Sequence, residues 1–244
     1  MAQPDYILLV YEDAKFLGLD VLVRRVRQHV EPGSSAPLEA VTVHGTGGFK
    51  KDVPLHLTKG PARLDKPPAY LIAVADADRP GNLVPGFAGK LDSNEATEEF
   101  RLSWQAYLRS EVPAPARPRI ECSLIRWSQE SLLTSLPEVL VEWAGDKRQQ
   151  LETHLSKCTP DPRTIADVDF VGSYGDPQQC MKDVVSVVRQ EKYNKARHNG
   201  AILNIVNGAH IRNLLDRSPD MRTLANILKN AAVVLSGATG DAQS

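Results

Sequence analysis

Apolar positions along this chain follow two alternating periods. Within Tyr6–Asp13 (YILLVYED), residues 6–11 carry no polar alternation, which predicts a short strand buried on both faces. In Phe16–Val30 the apolar residues Leu19, Leu22, Val23, Val26 and Val30 recur at helical spacing, opposite Arg24, Arg25, Arg27 and Gln28. Pro32-Gly33-Ser34-Ser35 closes that helix, and Leu38–His44 reads as a second strand. A glycine loop, Gly45–Lys51, and a proline-punctuated segment to Pro68 come next. The following apolar run, Ala69–Gly81 (AYLIAVADADRPG), stops at Asp76 and Asp78 ahead of Pro80-Gly81. Strand, helix, strand, loop and strand, with unbroken apolar strands, predict an open, mainly parallel α/β sheet.

The period changes in the second half. Asn94–Leu108 predicts a helix capped by Ser93 or Asn94. Val112–Arg119 is proline-rich and reads as an extended connector, and Ile120–Ile125 as a short strand containing Glu121. From Ser128 onward helical spacing dominates, over Glu138–Thr153, Asp176–Arg197, Gly208–Leu215 and Asp220–Leu235. Ser218-Pro219 introduces the last of these. The expected division is an α/β core over residues 1–127 and a helix-rich C-terminal extension over 128–244, packed on the core.

Composition narrows the classes. A hydrophobic share of 42% and a charged share of 24% are ordinary for a globular chain. The sequence has no run of 18 apolar residues, and MAQPDYILLV lacks a basic n-region, so neither a membrane span nor a signal peptide is expected. Three dispersed cysteines (Cys122, Cys158, Cys180) make neither a disulfide framework nor a zinc pattern, which fits a cytoplasmic protein. The six histidines include no i, i+4 pair. A net charge of −1 excludes a chain coated in positive charge. A nucleic-acid ligand would then need a segregated basic face or a partner's help.

Acidic residues at strand ends are the strongest chemical signal. Carboxylates gathered in one place repel one another, so a cluster of them ordinarily holds a cation. Glu12, Asp76 and Asp78 would share one sheet edge if their strands are neighbours, and functional groups of parallel sheets collect at that edge. Three carboxylates with open positions suit Mg2+ or Mn2+, and such an ion supports phosphoryl transfer or phosphodiester hydrolysis. Asp13 is a further acid or a helix cap. In the glycine loop, Lys50 and Lys51 are placed to contact a phosphate. Lys182–Arg197 carries Lys182, Arg189, Lys192, Lys195 and Arg197 against Asp183 and Glu191, a stretch that either tracks a nucleic-acid backbone or forms a solvated helix face.

The Glu after the first strand and the D-x-D after a later one resemble the Toprim domain shared by topoisomerases, primases and OLD-family nucleases. More narrowly, the chain resembles a family of bacterial Toprim-like proteins of undefined function. The matching features are Glu12-Asp13, the loop of Gly45, Gly47, Gly48, Phe49 and Lys50, the acids Asp76 and Asp78, and Ser218-Pro219. A fourth motif departs from the family: Arg119–Trp127 keeps Glu121 and loses the Ala-Trp and the closing Asp. The first motif also lacks an acid at Leu17.

That resemblance implies a Toprim/Rossmann-like sheet and a Mg2+-dependent nuclease or phosphodiesterase acting on nucleic acid, DNA above all. Glu12 would be general acid/base or metal ligand, Asp76 and Asp78 metal ligands, and Glu121 an additional acid. It also implies an antiviral-defence or DNA-processing setting with an ATPase partner, and homo-oligomers as one form. The alternative is a catalytically silent Toprim-like or receiver-like module that docks a partner protein. Asp76–Gly81 has the look of a phospho-accepting receiver. Against that, 64 residues separate Glu12 from Asp76 (76 − 12), more than the usual two-strand interval, and the strands that would carry Thr and Lys are not evident.

Overall fold

The computed structural model describes residues 5–12, 18–61, 66–77, 80–89, 91, 93–125, 130–157 and 177–238. Four strands form one parallel sheet: β1 (Ile7–Glu12), β2 (Leu38–Val43), β3 (Tyr70–Asp76) and β4 (Ile120–Ile125), in the order β2-β1-β3-β4. The expected α/β class with a helix-rich C-terminal part is the one observed. β1 pairs on both sides, with Ile7 opposite Leu38 and Tyr70, and Tyr11 opposite Thr42 and Val74. Central placement explains why Ile7–Val10 are wholly buried, whereas Thr42 on the outer strand β2 is exposed.

The chain divides into two compact units. The first comprises 1–14, 30–124 and 223–244; the second comprises 15–29 and 125–222. The expected division runs over 1–127 and 128–244. The first helix, however, belongs mostly to the second unit, and the last helix mostly to the first.

In the first unit, one sheet face is covered by helices α2 (Gly48–Lys59) and α4 (Asn94–Ser110), with a short helix α3 (Pro80–Leu83) between them in sequence. Phe49, Val53 and Leu57 of α2, and Phe100, Trp104 and Leu108 of α4, each repeat at four-residue spacing. They meet Leu8, Val10, Leu71, Ala73, Ala75, Ile120, Cys122 and Leu124 of the strands. Phe49 and Trp104 pack edge to face at 5.2 Å. Ser93 caps α4, its Oγ accepting from Ala96 N at 3.0 Å, as the sequence predicts. Two expectations need correcting. The proline-punctuated segment after Gly48 is helix α2, with Pro54 inside it. The connector is a 3-10 helix over Ala114–Arg119 rather than extended. Beyond it, the last helix runs Pro219–Ala238.

The second unit is helical. It holds α1 (Leu19–Val30) up to His29, then α5 (Glu130–Thr134), α6 (Pro137–Ala144), α7 (Arg148–Leu155), α8 (Pro177–Arg189), α9 (Lys195–Leu203) and α10 (Gly208–Arg217). Two predicted long helices are each broken in two. Gly145 (φ 55°) ends α6 where one helix over Glu138–Thr153 was expected. Gln190 (φ 57°) ends α8, and Asn194 starts α9 by accepting from Arg197 N at 3.1 Å. Arg25 of α1 donates to the carbonyls of Leu203, Asn204 and Val206, satisfying the end of α9.

Candidate functional site

The strand order makes the site. From β1 the chain crosses to β2 on one side, then returns to pair β3 on the other side of β1. The connection direction therefore reverses between β1 and β3, and the crevice outside the carboxyl ends of two such strands is the standard ligand position of open α/β sheets. Glu12 is the last residue of β1 and Asp76 the last of β3. Tyr11 stands opposite Val74, so Glu12 and Asp76 end adjacent strands about 4.8 Å apart.

Side-chain alternation refines the placement. Glu12 continues the face of Leu8 and Val10, while Asp76 continues that of Ile72 and Val74. The two carboxylates leave the edge from opposite faces, so an ion shared by them would sit beyond the strand ends, in line with the sheet. One oxygen of each, Glu12 Oε2 and Asp76 Oδ1, is shut away from solvent. Asp13 and Asp78 lie outside the described residues. Among the described residues, no group of three or more His, Cys, Asp or Glu side chains stands close enough to hold a metal ion. Carboxylate oxygens at this edge are nevertheless the donor type that Mg2+ or Mn2+ takes.

The glycine loop reaches the same edge. Val43, last residue of β2, is in register with Glu12, and the turn Gly45–Gly48 follows it, with Gly48 N donating to Gly45 O at 3.0 Å. Gly45 adopts φ 67°, a left-handed geometry that glycine reaches without strain. Lys50 and Lys51 belong to the first turn of α2 rather than to a loop. Lys50 Nζ lies 3.7 Å from Glu111 and 5.6 Å from the Tyr107 ring centre, and Lys51 is exposed.

Glu121 is not part of this edge. It is the second residue of β4, at the amino end of a parallel strand, where it pairs with Arg109 at 3.5 Å and Arg101 at 3.9 Å. The expectation of a further metal-site acid is therefore corrected to an ion-paired glutamate.

The basic stretch 182–197 is divided by the break at Gln190, so it presents no continuous face. Arg189 stacks on Trp143 (4.5 Å) and donates to its carbonyl, Lys195 Nζ lies 2.7 Å from the buried Glu130, and Arg197 bonds Glu191 at 2.8 Å. Lys182 and Lys192 are exposed. Burial pushes the Cys122 thiol far up, which leaves it a packing residue rather than a nucleophile. Sequence reading missed a cluster in the second unit, Glu138 with Asn213 and Arg217, whose members are 75 and 79 positions apart. No local pattern could have joined them.

No family model matches the sequence, and no curated protein matches it. Among solved structures, the chain is similar to the C-terminal region of the OLD protein of Xanthomonas campestris pv. campestris. That likeness has 13% identity and a TM-score of 0.42, and covers 93% of this chain and 98% of that one. A similarity this distant adds nothing about chemistry. No helix of the described residues is long and apolar enough to cross a membrane.

Proposed function

We propose that the first unit is a Mg2+- or Mn2+-dependent nuclease or phosphodiesterase of the Toprim type, acting on nucleic acid beside an ATPase partner. One observation carries the reading: two acids end the two adjacent parallel strands between which the chain's direction of winding reverses. Glu12 and Asp76 would hold the ion, with Asp78 as the third ligand. A bound divalent ion supplies charge for the phosphate oxygens and lowers the pKa of its water. The protein's own part is to fix two oxygens of fixed negative charge at a sheet edge and to leave the remaining positions to substrate. In the alternative arrangement Glu12, on the face opposite Asp76, would move a proton instead of holding the ion. A net charge of −1 supports a partner sharing the grip on nucleic acid. The Toprim-like order of motifs along the sequence supports nucleic acid as the phosphodiester.

The test incubates purified chain, alone and with any ATPase encoded by a neighbouring gene, with DNA and RNA in Mg2+ or Mn2+. Asp76→Asn and Glu12→Gln are each expected to lose cleavage by roughly a hundredfold or more. Mg2+ should also raise the melting temperature of the native chain and leave that of Asp76→Asn unmoved. Cleavage that survives both substitutions overturns the assignment.

The same order of elements also supports the receiver-like reading, because Asp76 ends the strand on which a phospho-accepting aspartate would sit. Covalent labelling of Asp76 by a small phosphodonor, with no cleavage of any nucleic acid, would establish that reading instead.

A further inference from the structure

We propose that the second unit carries a separate binding site, a cleft that takes an alkylammonium group between α6, α7 and α10. The cleft encloses about 520 Å³, within the span of small-molecule sites, roughly 300–1,000 Å³. Each helix turns a polar face into it. Glu138, Val141 and Glu142 lie at i, i+3 and i+4 on α6, and His210, Asn213 and Arg217 at i, i+3 and i+7 on α10. Arg148 and Glu152 of α7 close the third side. Seams between helices ordinarily bury apolar stripes, and polar groups placed there are expensive unless each finds a partner.

Most of these charges cancel in pairs. Glu138 accepts from Asn213 Nδ2 and Arg217 Nη1, each at 2.7 Å, and Arg148 Nε donates to Glu152 at 3.1 Å. Three glutamates against two arginines leave one negative charge, and Glu142 bears it. Glu142 Oε2 lies 3.7 Å from His210 Nε2, beyond hydrogen-bond reach. His210 is only 8% exposed. Its Nδ1 accepts the Asn207 N–H at 3.2 Å, so the neutral ring carries its proton on Nε2, toward Glu142.

The cleft therefore ends in the nearly buried His210 ring and a half-exposed carboxylate 3.7 Å away, an ion-pair rather than a hydrogen-bond distance. A carboxylate has two oxygens, so His210 can approach one while a ligand cation takes the other. Pro137 and Val141 add apolar wall beside it. A charge of this sign next to an apolar wall selects a primary ammonium on an aliphatic stem, the methylenes on the wall and the nitrogen on Glu142. Two sources carry that chemistry: a free aliphatic polyamine and a lysine side chain of a partner protein.

Calorimetric titration of the full chain with spermidine, with a short lysine-rich peptide, and with a neutral diol of matching length separates them. Saturable binding of spermidine or of the peptide is expected, and none of the diol. Whichever binds identifies the source; equal binding of both means that the cleft reads the ammonium alone. Glu142→Gln should weaken binding about tenfold, the scale of one charge-assisted hydrogen bond. Glu95→Gln, an equal charge change on the exposed start of α4, should leave it unchanged. Because Glu142 is 57% exposed, its variant should melt with the native protein. The proposal fails if neither amine binds at millimolar concentration, if the diol binds as well as the amines, or if the two variants weaken binding equally.

Discussion

Gln105→Leu tests how the outer edge of β4 is closed. β4 ends the sheet order, so its outer N–H and C=O groups would stand unpaired. Side chains of α4 take the place of a fifth strand, at four-residue spacing. Arg101 Nη1 donates to Cys122 O at 2.9 Å, Gln105 Oε1 accepts from Cys122 N at 3.1 Å, and Arg109 Nη2 donates to Ile120 O at 2.9 Å. Gln105 Oε1 also accepts from Arg101 Nη1 at 3.1 Å, which holds the guanidinium in place. Leucine preserves most of the volume and removes the acceptor. Cys122 is wholly buried, so its N–H would be orphaned at about 1–3 kcal/mol, the range for an unmade buried bond. A loss of roughly 1–3 kcal/mol corresponds to a melting temperature lower by about 2–12 °C in a chain of this length. Urea unfolding followed by tryptophan fluorescence should show the earlier midpoint, and the Cys122 amide should exchange faster. Gln105→Glu keeps an acceptor and should lose less than half as much. An unchanged midpoint with an unchanged Cys122 exchange rate would refute the reasoning.

Two glycines in the left-handed region should respond very differently to alanine. A Cβ at Gly60 (φ 74°) would meet Lys66 O at 2.0 Å, so Gly60→Ala should cost more than about 3 kcal/mol in urea titration. Gly45 (φ 67°) has nothing within 4 Å of such a Cβ, and Gly45→Ala should cost only about 1–2 kcal/mol of backbone strain. Glu138 gives the pH dependence. Burial alone would raise its pKa, but the hydrogen bonds from Arg217 and Asn213 outweigh that and hold it below the ordinary 4.5. A depressed carboxyl stabilises the fold above pH 4.5 and loses that contribution as pH falls through its folded value. The native chain should exceed Glu138→Gln in urea midpoint at pH 7, with the gap closing below pH 4.5; a gap that widens toward acid would contradict the sign.

The strands were legible because burial on both faces removes the polar alternation that would otherwise blur them, as in Ile7–Val10 and Leu71–Ala75. Helix α2 was not, because Pro54 reads as a breaker. Its cost inside a helix is about 3 kcal/mol. Phe49, Val53 and Leu57 are each about fully buried against the sheet, and three such side chains return roughly 4–9 kcal/mol. Packing wins by a margin that local propensity does not contain. Gln190 was missed for the opposite reason: a non-glycine in left-handed geometry leaves no mark in the sequence. Of the candidate acids, Glu12 and Asp76 were legible as strand-end residues, because an apolar run that stops at an acid marks where a strand ends. Glu121 was misassigned because an acid inside a strand does not say which end of the sheet it occupies.

Recognising α2 also alters the comparison of functions. The 64-position interval from Glu12 to Asp76 holds α1, β2 and α2, two complete strand–helix crossovers, so the interval no longer counts against a receiver-like arrangement. What still separates the readings is the rest of the edge. A receiver needs a hydroxyl at the end of its fourth strand and a lysine at the end of a fifth. β4 ends in Leu124-Ile125, and among the described residues the sheet has no fifth strand, its outer edge being closed by Arg101, Gln105 and Arg109. A metal-dependent hydrolase needs neither of those groups. It needs carboxylates at the ends of neighbouring strands, and Glu12 and Asp76 are so placed. Among the described residues, Arg101, Gln105 and Arg109 thus satisfy the outer edge of β4, the edge on which a fifth strand would pair.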